Sequence, residues 1–307
     1  MNPADLSKQI KEKAIALGFD ACGIAQIEEL STEKKHLEAW IENNYHGEMS
    51  YMARNIDKRA NPSMLVEGTQ SVISVLLNYF PEKNLHPDSH YKISKYALAI
   101  DYHYVIKDKL KELADFIEFH IPGTQMRIFT DSAPVLDKSW AIKSGLGWMG
   151  KHSLLINKKM GSFFFIGEII IGLNLEVDSP LNAEYCGTCT RCIDACPTQA
   201  IEKPYIVNAT RCISYLTIES KKDIPEKLQP NMENWIFGCD ICQDVCPWNL
   251  KSKPTREPLF KISDSLSMMK KADWESLDKP TFKTLFKSSP VQRSGFKRLK
   301  MVIELNQ

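Results

Sequence analysis

The alternation of apolar and polar positions predicts helices and strands throughout the first 175 residues. Residues 71–79 and 161–175 are nearly continuous apolar runs, which are typical of buried strands. Residues 107–120 and 134–144 repeat their apolar positions at helical spacing, and so does the N-terminal segment, which we expect to end at Gly18. The pattern therefore predicts an N-terminal domain of mixed helix and sheet, in the α/β or α+β class.

The pattern changes after residue 175, where turn residues and cysteines replace the long apolar runs. A proline-rich joint follows Cys246-Pro247, and helical spacing then returns. We therefore predict three parts: an α/β domain at 1–175, a cysteine-rich domain at 176–258 and a short helical tail at 259–307. The longest apolar stretch, 163–175, is interrupted by Glu168 and is shorter than the roughly 20 residues of a membrane span. With no export signal at the N-terminus, we expect a cytoplasmic protein without membrane contact.

Composition supports a soluble globular chain and leaves nucleic-acid binding open. The 307 residues include 39 Lys and Arg against 38 Asp and Glu, a net charge of +1, and 43% are hydrophobic. These values exclude a disordered chain, a collagen-like chain and a small disulfide scaffold. The charge is uneven, however, because residues 1–50 carry 5 basic against 9 acidic residues and residues 251–307 carry 13 against 6. A tail of +7 suits contact with phosphates, although a solvated helical surface would look the same.

Eight of the nine cysteines lie between Cys186 and Cys246, and their spacing predicts two iron–sulfur clusters. The first group has the spacing C-x2-C-x2-C-x3-C-P, and the second lacks its first cysteine, which Cys212 replaces from upstream. In two-cluster ferredoxins the cysteine before proline ligates the other cluster. The predicted ligands are Cys186, Cys189, Cys192 and Cys246 for one [4Fe–4S] cluster and Cys196, Cys212, Cys239 and Cys242 for the other.

Structural zinc is the alternative for these cysteines. Zinc sites usually pair two C-x2-C units or combine cysteine with histidine, and no histidine lies between Cys186 and Cys246. The pattern therefore favours clusters over zinc. The ninth cysteine, Cys22, lies in an apolar run and is expected to be a small core residue.

Three glycines after the predicted helix at 134–144 imitate nucleotide-binding motifs. Gly145, Gly147 and Gly150 match G-x-G-x-x-G, and with Lys151 they nearly match a phosphate-binding loop. Both motifs require a strand before the glycines and a helix after them, whereas this sequence predicts the reverse order. His152 also stands where a phosphate-binding loop needs Ser or Thr. We expect these glycines to allow positive φ angles and a close approach to a bulky ligand.

Two polar residues in the N-terminal domain are candidates for chemistry. Asp131, in the run D-S-A-P, precedes a predicted helix, and it either caps that helix or presents an acid at the mouth of a pocket. A flat apolar cofactor beside it would raise the pKa of its carboxyl. His103 is the third residue of the run Asp101–Ile106, which starts like the D-x-H-x-x-G of cobalt-ligating proteins, but the glycine is missing. We expect His103 at a helix start or in the core.

The runs DSAPVLDKSWAIKSGLGWMGKHSLLIN, GSFFFIGEI, CGTCTRCIDACPTQAI and CDICQDVCPWN, in this order, resemble the epoxyqueuosine reductases of the queuosine pathway. This resemblance implies an α+β protein with a cobalamin-binding domain akin to that of reductive dehalogenases, followed by a two-cluster ferredoxin-like domain. It also implies base-off cobalamin without a protein ligand to cobalt, which agrees with the missing glycine after His103.

The resemblance implies a substrate and site residues as well. Family members reduce epoxyqueuosine at the wobble position of tRNA with two electrons and two protons, and the proton donor corresponds to Asp131. We expect a monomer that binds tRNA and an unidentified electron donor. Longer members continue into a helical-repeat extension, and here the basic 251–307 segment is expected to contact tRNA phosphates. The expected polar contacts to cobalamin are Arg59, His103, Asp131, Lys151, His152 and Ser153.

Two other functions fit the same features less completely. One is a corrinoid enzyme that dehalogenates a small organohalide, although dehalogenases of that kind are typically exported. The other is a non-catalytic iron–sulfur electron carrier, which would leave the N-terminal domain and Asp131 without a role.

Overall fold

The computed structural model describes residues 2–181 and 184–307, which form short helices and strands around one larger sheet. The helices are α1 Pro3–Ala16, α2 Ser31–Glu42, α3 Ile56–Ala60, α4 Tyr102–His120, α5 Asp137–Lys143, α6 Arg191–Asp194, α7 Ile213–Ile218, α8 Ile241–Asp244, α9 Asp264–Ser267, α10 Lys271–Glu275, α11 Lys279–Leu285 and α12 Gly295–Leu305. The strands are β1 Ala21–Gln26, β2 Ser71–Asn78, β3 Lys92–Ile93, β4 Met126–Phe129, β5 Trp148–Met149, β6 Leu155–Ile156, β7 Phe164–Ile171, β8 Ile201–Lys203, β9 Ile206–Val207 and β10 Trp235–Phe237.

The larger sheet has the strand order β1–β2–β7–β4, and all neighbouring strands in it are antiparallel. The strands predicted at 71–79 and 161–175 are confirmed as its two central strands, β2 and a shorter β7. Both are buried along almost their whole length, which explains their continuous apolar sequence. The protein therefore mixes helices with an antiparallel sheet, as an α+β fold does.

Helices α1 and α4 cover one face of this sheet, and the core between them is apolar. The helix predicted at 107–120 is confirmed, but it begins at Tyr102 because the Asp101 side chain accepts a hydrogen bond from the His103 N–H at 3.0 Å. Gly167 in β7 allows α4 to pack closely, since a Cβ there would lie 2.8 Å from Ile106 Cγ2. The start of α4 is thereby held against the end of the sheet.

Helix α5 packs on the opposite face of the sheet, against β2 and β7. The helix predicted at 134–144 is thus confirmed with narrower bounds, and its Trp140 is fully buried. Glu168 of β7 is fully buried among the apolar residues of this face. Burying a carboxyl group in the middle of a sheet costs folding free energy, and the cost is highest when the group is ionised.

The residues after 184 form a second core that includes part of the N-terminal half. Strand β10 pairs in parallel with β3, and Phe237 and Tyr91 pack in one apolar cluster. The segment predicted as a tail, 259–307, enters the same cluster through Trp274, Phe286 and Leu299. This segment is therefore built into the fold, and it can contribute residues to a site between the two halves.

Two smaller expectations concern Cys22 and membrane spans. Cys22 lies in β1 half-buried beside the apolar core, and burial raises the pKa of its thiol to about 12. In the part of the chain that the structure describes, no helix has both the length and the apolar content needed to cross a bilayer.

Candidate active site and cysteine sets

A cavity of about 1000 Å³ opens between the sheet domain and the cysteine-rich part of the chain. Its wall includes Arg59, His103 and Asp131 from the first half, and Glu219 and Arg293 from the second half. The guanidinium Nη2 of Arg293 lies 2.8 Å from the Glu219 carboxylate. Arg293 belongs to the predicted tail and was not a candidate from the sequence, because only the packing of the tail brings it here.

Asp131 lies on the wall of this cavity, in the loop between β4 and α5. The N-cap of α5 is Leu136, so the helix-capping interpretation of Asp131 is wrong. Its backbone has a φ angle of +40°, which is uncommon for a residue with a side chain. The Tyr102 hydroxyl donates to its Oδ2, and His103 Nε2 lies 2.6 Å from its Oδ1.

His103 connects Asp131 to a second carboxylate, because its Nδ1 lies 2.7 Å from Asp101 Oδ1. Hydrogen bonds to Asp101 and then Asp131 raise the pKa of His103 to about 9. Burial alone would raise the pKa of Asp101, but the hydrogen bonds from His103 outweigh burial and lower it. The ring is therefore an imidazolium near neutral pH, held between two carboxylates.

Tyr102 is a site residue that the sequence reasoning missed. Its ring stacks on Phe165 with 4.0 Å between ring centroids, which fixes the direction of its hydroxyl. Burial and the Asp131 charge raise the pKa of Tyr102, so the hydroxyl keeps its proton and donates it in a hydrogen bond. Its position next to His103 in the sequence was the available signal.

A second cavity of about 430 Å³ adjoins the first, and Tyr96, Lys138 and Phe164 line both. Four cysteines line this smaller cavity, namely Cys196, Cys212, Cys239 and Cys242. They are the four cysteines of the second predicted set. Cys212 also lines the large cavity, so this set reaches the wall that the two cavities share.

The cysteines of the first predicted set also lie near one another. Burial, followed by the neighbouring thiols of Cys246, Cys186 and Cys189, raises the pKa of Cys192 to about 11. Three aromatic rings stand beside this group, with Trp148 4.9 Å from Trp248 and 4.7 Å from Tyr185 between centroids. Cys186 and Cys246 pack in the same small apolar cluster as Trp148.

Five of the six expected cobalamin contacts line one of the two cavities. Arg59, His103 and Asp131 line the large one, and His152 and Ser153 line the small one. Arg59 is buried and donates to the Tyr51 carbonyl oxygen at 2.9 Å. Burial and then the Lys138 charge lower the pKa of His152 to about 4, so its ring is neutral at physiological pH.

Lys151 lies elsewhere, against the first cysteine loop. Its Nζ donates to the Gly187 carbonyl oxygen at 2.6 Å and to the Cys189 carbonyl oxygen at 3.0 Å. This placement does not support the expected contact between Lys151 and cobalamin. The sequence suggested a ligand contact because Lys151 directly follows the glycine motif, but the side chain turns toward the cysteine-rich part.

The glycine motif has the inverted order that the sequence predicted, with α5 before it and β6 after it, while β5 lies within it. Gly145 has a φ angle of +72°. The close approaches, however, are to the protein's own backbone. A Cβ at Gly145 would lie 2.7 Å from the Ser179 carbonyl oxygen, and one at Gly147 would lie 2.2 Å from the Ile156 carbonyl oxygen. Packing within the protein therefore explains these glycines without a ligand.

Asp137 and Glu168 form a buried acidic pair that the sequence reasoning did not identify. Burial raises the pKa of Asp137 to about 7, and burial together with the Asp137 charge raises the pKa of Glu168 well above its ordinary value. Asp137 Oδ1 and both Glu168 carboxyl oxygens have no hydrogen-bond partner among the described residues. Asp137 lines the large cavity, so the pair lies beneath the site.

This pair predicts that the protein loses stability as the pH rises. The unfolded chain ionises its carboxyls near pH 4, whereas the folded chain keeps protons on this pair up to about pH 7. The free energy of unfolding therefore falls through this window. We expect Glu168→Gln to flatten the pH dependence of the free energy of unfolding. It should raise the melting temperature near pH 8 by roughly 2–4 °C for each kcal/mol that ionisation of the buried pair costs the native chain. Anaerobic thermal unfolding between about pH 5 and pH 8 measures it.

Glu176→Gln is the matched control, because Glu176 is exposed and follows shortly after β7. We expect it to keep the pH dependence of the native chain. An unchanged slope in Glu168→Gln would contradict the assignment of the titration to the buried pair.

The comparisons with known families match both halves of the chain. Residues 185–249 match the family described as "4Fe-4S double cluster binding domain", and residues 59–132 match "Epoxyqueuosine reductase QueG, DUF1730". The first match covers all eight clustered cysteines, and the second ends just after Asp131. The fold and these matches define the class as an iron–sulfur oxidoreductase.

A curated relative identifies the family within this class. The epoxyqueuosine reductase of Cellulophaga algicola is 53% identical over 298 residues, which is 97% of this chain and 97% of that protein. The chain belongs to the epoxyqueuosine reductase family.

Solved structures agree with this assignment. An epoxyqueuosine reductase crystallised with an epoxyqueuosine-modified tRNA-Tyr stem loop has a TM-score of 0.92 at 26% identity, and the match covers 99% of this chain and 81% of that one. A reductive dehalogenase described in connection with B12-dependent dehalogenation has a TM-score of 0.50 at 15% identity, covering 99% of this chain and 38% of that one. The second match shows a shared fold.

Proposed function

We propose that this protein reduces epoxyqueuosine to queuosine at the wobble position of tRNA in the cytoplasm. One observation carries the proposal beyond family membership: an oriented acid, Asp131, lines a cavity that adjoins a second cavity lined by four cysteines. An acid for proton transfer and four thiols for a cluster therefore line two adjoining cavities. The tRNA stem loop in the related crystal structure supports the choice of substrate.

We assign each cysteine set to one [4Fe–4S] cluster. Eight thiols without an interspersed histidine suit two cubanes, each of which needs four thiolate ligands. Among the described residues no three His, Cys, Asp or Glu side chains converge on a single ion position. Cubane ligands each bind a different iron and need not converge in this way.

Cobalamin fits the larger cavity on two grounds. A volume of about 1000 Å³ is at the upper end of ordinary ligand pockets, as a large corrin ring requires. Asp137 lines the large cavity, and its Oδ1 is buried without a partner among the described residues; so are His152 Nε2 and Ser153 Oγ in the adjoining small cavity. The peripheral amides of cobalamin would supply such partners. When bound, cobalamin supplies two-electron chemistry at carbon and the clusters supply single electrons.

The protein residues supply orientation and protons. The imidazolium of His103 and the hydroxyl of Tyr102 hold the Asp131 carboxyl at the cavity wall. Asp131 takes a proton from the His103 imidazolium and passes it to the epoxide oxygen as the C–O bond breaks, which prevents a charged oxygen from developing in the cavity. In total, two electrons from an external one-electron donor and two protons convert the epoxide to an alkene and water.

Substrate RNA would approach where the tail meets the cavity. Arg293 is on the cavity wall, and the 251–307 segment carries a net charge of +7. Basic side chains of this segment would contact the phosphates of the anticodon stem.

Nucleoside analysis of tRNA tests the proposed function. Cells that lack this protein should accumulate epoxyqueuosine and lose queuosine, and the intact gene should restore queuosine. Normal queuosine content in the deletion strain would overturn the proposal. Incubating tRNA from the deletion strain with the reconstituted protein and a chemical reductant should convert epoxyqueuosine directly, which separates this enzyme from an electron carrier.

A further inference from the structure

Lys151 has an unusual position for a lysine in a hairpin turn. Strands β5 and β6 pair in an antiparallel hairpin, and the Gly150 N–H donates to the Leu154 carbonyl oxygen at 2.8 Å across its end. Gly150 is needed there, because a Cβ would lie 2.6 Å from the His152 ring. The tight turn directs Lys151 away from the cavities and onto the loop that carries Cys186 and Cys189.

Two hydrogen bonds join the hairpin to the cysteine loop, and a third joins it to the turn between β8 and β9. Lys151 Nζ donates to the carbonyl oxygens of Gly187 and Cys189, at 2.6 and 3.0 Å. The Tyr205 N–H donates to the Lys151 carbonyl oxygen at 2.9 Å, so the backbone of the turn is held as well. Side chains of the same hairpin, Trp148 and Ile156, pack with Cys246. The hairpin is thus the support for the first cysteine set.

The charge of Lys151 has an electrostatic consequence for that set. Four thiolates around a cubane carry net negative charge, and reduction adds one more negative charge. A fixed cation beside the loop stabilises the reduced form, and net charge near a cluster is one of the factors that set its potential. Charged residues near this loop in the sequence include Glu184, Arg191 and Asp194. Lys158 Nζ lies 5.5 Å from the Tyr185 ring centroid.

We propose that Lys151 is a positioning residue that holds the first cysteine loop on the β5–β6 hairpin and raises the reduction potential of the cluster bound there. The inference rests on the proposed assignment of two clusters. It concerns the first set because both side-chain hydrogen bonds of Lys151 end on that loop. Lys151 thereby assists electron delivery without touching substrate or the cavity.

The test is a redox titration of the full-length, anaerobically reconstituted protein, followed by electron paramagnetic resonance. In Lys151→Gln, one of the two midpoint potentials should shift to a lower value while the other stays in place. Lys151→Arg, which keeps the cation, should remain near the native values. Lys159→Gln is the matched control, because Lys159 is an exposed lysine that follows β6. The Cys186→Ala/Cys246→Ala variant identifies the second cluster, because only that cluster remains in it.

Iron analysis separates this proposal from the proposed function. Native protein with far fewer than about eight irons would contradict the two-cluster assignment itself. Lys151→Gln with a full iron content and two native midpoints would overturn the role of Lys151. If Lys151→Gln binds only about four irons, the Lys151→Arg variant distinguishes the two explanations. Native midpoint potentials and iron content in Lys151→Arg support the proposal, and loss of the cluster in Lys151→Arg overturns it.

Discussion

Asp131→Asn should reduce the rate of epoxide reduction by roughly 10²–10⁴-fold, which is the usual contribution of a general acid. Asparagine keeps the size of the side chain and accepts a hydrogen bond from the Tyr102 hydroxyl, but it cannot take up a proton from His103 and pass it on. Single-turnover conversion of epoxyqueuosine-containing tRNA is the appropriate measurement, because it isolates the chemical step from product release. The visible absorption of the clusters and the iron content should stay at native values.

Asp88→Asn is the matched control for this experiment. Asp88 is an exposed acid, with 72% of its side-chain surface accessible to solvent. It does not line the large cavity. It should turn over at the native rate. If Asp131→Asn also did so with its clusters intact, Asp131 would have no role as a proton donor.

Pairs of cysteine replacements should abolish activity while revealing which thiols share a cluster. Cys186→Ala/Cys246→Ala removes two ligands from one proposed set, and we expect about four irons per chain to remain. Cys186→Ala/Cys242→Ala removes one ligand from each set, and we expect almost no iron to remain. Turnover should fall to background in both, because loss of either cluster breaks the electron path.

The alternative arrangement gives the opposite result. If each group of neighbouring cysteines held its own cluster, Cys186→Ala/Cys196→Ala would keep about four irons and Cys186→Ala/Cys246→Ala would keep almost none. The ninth cysteine, Cys22, belongs to neither proposed set and provides the control. Cys22→Ala should keep about eight irons, because Cys22 lies in β1 away from both sets.

Much of the cysteine-rich part could be predicted from the sequence alone. Cluster ligation depends on spacings of two or three residues and on the turn at Cys-Pro, and these are local properties. The helix predicted at 107–120, which is most of α4, and the two central strands were likewise recognisable. Their apolar periodicity reflects the burial of one face of the helix and of both faces of the strands. The start of α4 at Tyr102 was harder to place, because it depends on one capping side chain, Asp101.

The arrangement around Asp131 could not be predicted in the same way. Tyr102 and His103 reach Asp131 from 29 and 28 residues earlier in the chain, and this contact requires α4 and the β4–α5 loop to meet at the same end of the sheet. The sequence left helix capping and an exposed acid equally open, and only the position of the α5 N-cap at Leu136 decided between them. Arg293 joins the cavity from still farther away.

The sequence by itself determined that the protein is of the iron–sulfur class, because thiol spacing is a local signal that needs no tertiary contact. Tertiary structure decided which of the candidate residues lie together. It placed Lys151 on a cysteine loop, brought Glu168 beneath α5 near Asp137, and put the small cavity beside the large one. The physical reason is that periodicity reports how each segment is buried, whereas a site depends on how separate segments pack against one another.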